Sequence, residues 1–238
     1  MKLTILIVLV GSLALLAFGA TGEKSDTRRP VIVELFTSEG CSSCPPAEAV
    51  LNDLHQGQPI DGVDVIAIAW HVTYWDDLGW VDPLGDRRFT KRQREYARTF
   101  GRGNVYTPQM IVGGTEEFVG SNRSRAASSI ASAAEVDPIH VTITSNDHDV
   151  LCGTVEGVEG PITLVVVEDG LTSKVQRGEN RGKTLTHDGV ARTFDRVEAG
   201  AFEIAVPSDV NLANARLVAF AQSDSLGPIT AVGVAGLE

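Results

Sequence analysis

Two cysteines separated by two serines, Cys41-Ser42-Ser43-Cys44, stand between an apolar run, Val31 to Phe36, and a helical pattern, Pro46 to His55. This limits what the chain can fold into. A β-branched and aromatic run predicts a strand, and Ala49, Val50, Leu51 and Leu54 give the following segment an apolar helical face. Val63 to Trp70 is a second, nearly continuous apolar run. Strands apolar on both faces belong in the middle of a parallel sheet, with the intervening helix as the crossover. The two cysteines therefore sit at the first turn of a βαβ unit, where a dithiol can change redox state.

The start of the chain has a different purpose. Lys2, the apolar stretch Leu3 to Phe18 and the small residues Ala17, Gly19 and Ala20 read as an export signal over residues 1–20. A polar lead-in, residues 21–29, follows it. The address implied is periplasmic or secreted, which is oxidising and suits a disulfide. No later apolar run approaches the ~18 residues of a membrane span, so none is expected once the signal is removed. The formal net charge of −11 repels phosphate backbones, so nucleic acid is not expected as a partner.

Beyond the second strand the pattern predicts a loop from His71 to Arg88, then a helix capped by Thr90 and closed near Gly101. A hairpin of Met110 to Val112 and Glu117 to Val119 comes next, turning at Gly113-Gly114-Thr115-Glu116, and a small-residue helix spans Asn122 to Ala134. Strand, helix, strand, helix, strand, strand, helix is the order of the thioredoxin fold. From Asp137 onward short alternating segments (His140 to Ile143, Ile162 to Val167, Phe202 to Val206, Ala215 to Ala221) recur between Gly and Asp turns. The expected architecture is an α/β thioredoxin-like fold over residues 30–136, followed by an all-β, sandwich-like C-terminal domain over 137–238.

Glu34-Leu35-Phe36-Thr37-Ser38, His71-Val72-Thr73-Tyr74-Trp75-Asp76, Arg92-Gln93-Arg94 and Tyr106-Thr107-Pro108-Gln109 occur in order, with Gly178-Glu179-Asn180-Arg181-Gly182 in the second half. Together they resemble the exported, thioredoxin-like family catalogued as domain-of-unknown-function family 1223. The resemblance runs from Pro30 to the C-terminus and implies a fold and a compartment but no substrate. Thr73 stands where that family has an acidic residue. Similarity to thioredoxins further implies that Pro108 is a cis-proline facing the dithiol. A substrate strand would then pair with the backbone of Thr107.

The candidate catalytic residues are Cys41, Cys44, Glu34 and His71. Cys41 lies just before a helix, where unpaired N–H groups and the helix dipole favour the attacking thiolate, and Cys44 would resolve the mixed disulfide. Glu34, an acid in an apolar strand seven residues before Cys41, is a candidate proton carrier, or else an acid bonded to arginine or backbone. His71 ends the second strand at the sheet edge where ligands bind, and would either tune the thiol or simply be hydrogen-bonded in place. Thr107, Pro108, Tyr74 and Trp75 are the candidate substrate-binding residues. Trp80 is expected to fill a small core, Arg92 and Gln93 to be solvated, Asp76 to orient His71 or an arginine, and Cys152 to be a buried free thiol. The segment Gln176 to Arg192, with Arg177, Arg181, Lys183, His187 and Arg192, reads as a solvated hairpin, with binding of an anionic group or closure over the dithiol as the alternatives.

These residues predict a thiol–disulfide oxidoreductase that needs no cofactor. Its partner would be a protein or small molecule carrying a thiol or disulfide, and a separate redox partner of unspecified identity would restore the pair. Two other readings use the same residues. In one, both thiolates with His71 or Met110 handle a soft ion such as Cu(I), although no closed metal site is predicted. In the other, the cysteines are a structural staple in a noncatalytic envelope binding protein.

Overall fold

A computed structural model describes residues 28–147 and 149–237, so the expected export signal lies outside the described residues. The fold is mixed α/β and rich in sheet, with three α-helices among the described residues. Strand β1 (Arg29–Thr37) and strand β2 (Val63–His71) are parallel and in register from Arg29 beside Val63 to Thr37 beside His71. Helix α1 (Pro45–Gly57) is the crossover between them, with Cys44 at its N-cap and prolines in its first turn, where the N–H groups they lack have no intrahelical partner. Helix α2 (Arg87–Thr99) starts earlier than the sequence predicts. Asp86, not Thr90, is its N-cap, accepting from the Arg88 N–H, while Thr90 Oγ1 instead accepts from the Thr73 N–H. Strands β3 (Gln109–Val112) and β4 (Glu116–Val119) form the expected hairpin, β3 lies antiparallel to β1, and helix α3 (Arg123–Ser132) follows.

The expected boundary after residue 136 does not interrupt the sheet. The second half adds β5 (Asp137–Pro138), β6 (His140–Asp147), β7 (Val150–Glu156), β8 (Ile162–Glu168), β9 (Leu171–Lys174), β10 (Thr184–His187), β11 (Val190–Val197), β12 (Gly200–Ala205), β13 (Ala215–Gln222) and β14 (Ile229–Gly236). One nine-stranded sheet runs β4-β3-β1-β2-β11-β8-β13-β14-β5. At the join, β11 meets β2 through Val190 beside Ala69, and the Gly189 carbonyl accepts the Ala69 N–H at 2.6 Å. Gly189 is required there. Its φ is +69°, and a Cβ would come within 2.8 Å of the Ala67 carbonyl oxygen.

Alternation along the strands divides the core. Ile32 and Phe36 of β1, Ile66, Ile68 and Trp70 of β2, and Val165, Val218 and Phe220 from the second half share one face with Phe89 and Tyr96 of α2. Val33 and Leu35 face the other way, onto α1 and α3. Farther along that side the three-stranded sheet β12-β7-β6 packs Leu151, Phe202 and Ile204 against Leu164, Leu217 and Ala219, a sandwich-like pairing of two sheets. Cys152 is free but only half-buried, because it alternates with the inward-facing Leu151 and Gly153. It is not the buried hydrophobe that the sequence predicts.

Candidate functional site

At the carboxyl end of β1 the chain turns through Ser38 and Gly40 into α1. The turn is fixed by Cys41 N–H to Ser38 O at 3.1 Å and Cys44 N–H to Cys41 O at 3.2 Å. Cys41 and Cys44 form a disulfide with their Cα atoms 5.4 Å apart. The Thr107–Pro108 bond is cis, and the Thr107 hydroxyl donates to Cys41 Sγ at 3.3 Å. Trp75 Nε1 donates to that same hydroxyl at 2.8 Å. Tyr74 packs beside it, with ring centroids 6.5 Å apart. The structure therefore brings Cys41, Cys44, Thr107, Pro108, Tyr74 and Trp75 together. Gln93 supports them from α2, donating to the Tyr106 carbonyl at 2.7 Å, and so is buried rather than solvated. Met110 is a core side chain among Leu35 and Ala47.

Glu34 does not join this group. It shares its face of β1 with Ile32 and Phe36, away from α1, and its side chain is fully buried. Oε1 accepts from Trp70 Nε1 at 2.9 Å and Arg92 Nε at 2.8 Å, and Oε2 accepts from the Tyr96 hydroxyl. Arg92 is only 3% exposed and lies over the rings of Trp70, Tyr96 and Phe220, which corrects the expectation of a solvated side chain. The pair is the polar centre of an apolar core.

Beneath the cysteine turn lies a second polar group, most of which the sequence reading missed. His71 Nδ1 meets Asp82 Oδ2 at 2.7 Å; Asp76 instead accepts from the Asp82 N–H at 3.2 Å. The His71 ring stands edge-on to His187, centroids 5.0 Å apart. His187 Nδ1 is 2.8 Å from Glu48 Oε2, and its Nε2 is 3.3 Å from Glu39 Oε1. Burial disfavours charge on His187, but its contacts with Glu39 and Glu48 outweigh burial and lift its pKa to about 10. Burial also works against ionised Glu48 and Asp82. For Glu48 the bonds to His187 and Thr37 prevail, and for Asp82 the His71 imidazole and two backbone N–H groups do, so both stay below the usual carboxylate range.

The segment expected as a solvated hairpin covers the disulfide. Strands β9 and β10 form a two-stranded ribbon whose connecting loop carries Gly178, Glu179 and Asn180. The Asn180 amide donates to the carbonyls of Glu39 and Cys41, both at 2.9 Å, and Glu179 accepts from the Ser42 N–H at 3.1 Å. Gly178 (φ +74°) allows the loop to lie on Trp80, since a Cβ there would come within 3.1 Å of the Trp80 Cβ. Trp80 in turn donates to Glu39 at 2.8 Å. With this cover in place Cys41 and Cys44 are both 0% exposed, although Ser42 and Ser43 between them reach solvent.

Comparison with known proteins gives a family and a fold. The family model described as "Protein of unknown function (DUF1223)" matches residues 32–222. No curated protein matches the chain. Among solved structures, a structural-genomics protein of Agrobacterium tumefaciens is 24% identical with a TM-score of 0.60, over 86% of this chain and 92% of its own. HBP35 of Porphyromonas gingivalis is 15% identical with a TM-score of 0.58, over 88% of this chain and 76% of its own.

Proposed function

The chain belongs to the DUF1223 family, and from that premise we propose that it is an exported, thioredoxin-like thiol–disulfide oxidoreductase whose reacting pair is Cys41 and Cys44. The observation that carries the reading is the placement of this disulfide at the N-terminus of α1, against the cis Thr107–Pro108 bond and within 3.3 Å of the Thr107 hydroxyl. A staple has no need of that company. The order β1-α1-β2-α2-β3-β4-α3 and the pairing β4-β3-β1-β2 support the thioredoxin-like assignment. The signal-like N-terminus supports an oxidising address.

In the reducing direction the Cys41 thiolate attacks one sulfur of a substrate disulfide, and the other substrate sulfur leaves as a thiolate and takes a proton. The Cys44 thiolate then attacks Cys41 Sγ, expels the second substrate sulfur and regenerates the Cys41–Cys44 disulfide. The substrate gains two electrons and the protein loses two. A thiol-carrying partner reduces the pair again. Run backward, the same steps oxidise a dithiol. Thr107 offers backbone groups to an extended substrate, and Tyr74 and Trp75 wall the approach. The Asn180 loop must lift for the sulfurs to meet.

Equilibration of the protein lacking residues 1–20 in defined thiol buffers, with thiol trapping and mass analysis, tests the reading. A potential between about −270 and −120 mV is expected. A value below about −300 mV would mark a structural disulfide and overturn it.

A further inference from the structure

Glu48 on α1, His71 at the end of β2 and His187 at the end of β10 each place one metal-ligating atom within 4.8 Å of the others. Their exposures are 4%, 0% and 2%. Behind each stands a second group that fixes its orientation. Asp82 takes His71 Nδ1 at 2.7 Å, Glu39 lies 3.3 Å from His187 Nε2, and the Thr37 hydroxyl donates to Glu48 Oε1 at 2.5 Å. Those supports are themselves held: Asp82 accepts the N–H groups of Glu39 at 2.8 Å and Leu84 at 2.9 Å, and Glu39 accepts from Trp80.

Four buried atoms here lack a hydrogen bond, Glu39 Oε1, His187 Nδ1, His187 Nε2 and His71 Nε2, and the first three still face opposite charge across the Glu39–His187 and Glu48–His187 contacts. His71 Nε2 is fully buried and has no hydrogen-bond partner among the described residues. A buried ring nitrogen without a partner is costly, and nothing in the Glu48–His187 pair satisfies it. Imidazoles backed by carboxylates, with the other nitrogen facing a shared space, are the usual arrangement of metal-binding histidines.

We propose that His71 Nε2, His187 Nδ1 and the Glu48 carboxylate bind one divalent transition-metal ion of the zinc class, leaving a fourth position open. Two imidazoles and a carboxylate, with no thiolate, match zinc and its divalent neighbours rather than Cu(I). Ligand atoms about 2.1 Å from a tetrahedral ion stand roughly 3.4 Å apart, so the ion enters by parting His187 from Glu48 and drawing His71 inward. Of the three ligands Glu48 also lines a cavity of about 580 Å³ between α1 and the β9–β10 ribbon, so entry would be from that side. The site is separate from the sulfur chemistry proposed above and stands whether or not that reading holds.

The test uses the protein lacking residues 1–20, stripped with a chelator and titrated with zinc alone and with cobalt(II) alone. Expected are one ion per chain by mass spectrometric metal analysis, a rise in melting temperature on adding zinc, and a cobalt spectrum without a thiolate charge-transfer band. His71→Ala and Glu48→Gln should each weaken binding at least 100-fold. Asp82→Asn, behind His71, should weaken it 10- to 100-fold. The double substitution Cys41→Ser with Cys44→Ser should leave binding unchanged. Circular dichroism establishes which variants fold, and if the ligand variants do not, the stoichiometry and cobalt spectrum of the unsubstituted protein decide. Failure to bind either ion at micromolar concentration overturns the proposal, as does binding that disappears with the cysteines.

Discussion

Replacing Glu34 by glutamine removes one charge from a fully buried pair and keeps the shape of the side chain. In the folded protein the Arg92 guanidinium has Glu34 Oε1 at 2.7 Å, Gln222 Oε1 at 2.9 Å and three aromatic faces at 5.1–5.3 Å. Removing one partner of a buried ion pair typically costs about 3–5 kcal/mol. The amide that remains still accepts a hydrogen bond and the rings offset part of the bare cation, so the lower end applies, about 3 kcal/mol. At roughly 2–4 °C per kcal/mol for a domain of this size, the melting temperature should fall by about 6–12 °C. Urea unfolding with an unchanged slope measures the first quantity and a thermal melt the second. Because Glu34 lies on the far face of β1 from α1, the Cys41/Cys44 potential should move by less than about 15 mV, half of the 30 mV equivalent to 1.4 kcal/mol. Glu34→Leu with Arg92→Met should recover most of the lost stability, since apolar replacement of a whole buried pair is often close to neutral. A loss below about 1 kcal/mol in Glu34→Gln, or a tenfold slower resolution of the mixed disulfide, would refute this reasoning and return Glu34 to proton transfer.

Three further outcomes are expected. Asn180→Ala deprives the buried Glu39 carbonyl of its donor, at ~1–3 kcal/mol, and leaves the Cys41 carbonyl with the Cys44 N–H alone, so the loop over the disulfide should open more readily and reduction by dithiothreitol should speed up about tenfold or more; an unchanged rate would mean that the loop does not control access. Thr107→Val removes the hydroxyl that donates to Cys41 Sγ, so in the reduced protein the Cys41 thiolate should form at higher pH in an absorbance titration, and an unchanged titration would mean that this hydroxyl does not stabilise it. Burial pushes Asp169 up, but His55, Arg216 and the Gly189 N–H outweigh it and hold its pKa at about 2, below the ordinary 3.8. A depressed acid stabilises the fold fully above its unfolded pKa and loses that contribution as pH falls through the folded value, so about 2 kcal/mol should disappear between roughly pH 4 and 2 and be missing from Asp169→Asn, as read by urea unfolding across that window.

Local signals carried the first half. Val31 to Phe36 and Val63 to Trp70 are apolar apart from Glu34 and Asp64 because both faces of β1 and β2 are covered, and a prolyl helix start after Cys44 is written in the residues themselves. The dithiol and Thr107–Pro108 were legible for the same reason. Arg92 was not, since the segment Arg87–Thr99 is so rich in charge that its inward side is masked; only the spacing of Phe89, Arg92, Gln93 and Tyr96 points to a buried stripe. Asp82 looks like a loop residue until His71 is seen beside it, and Asn180 meets Cys41 across 139 residues of chain. His187 lay within a segment that, by sequence, is an ordinary exposed turn. The change of texture at Asp137 is a change in side-chain pattern, and backbone pairing continues across it from β2 into β11.

That shared sheet makes the protein a natural candidate for splitting. Severed before β5, the N-terminal fragment would keep both sulfurs, His71 and Glu48 but lose His187 and Asn180. It would also present β2 as a bare apolar edge with half of its core gone. The C-terminal fragment would hold the missing pieces and have nothing to lay them on. Neither is a finished object, and each supplies what the other needs. Co-produced, they would behave as two parts of a reassembling reporter, and a shielded disulfide would signal that the seam at Ala69 and Val190 had closed.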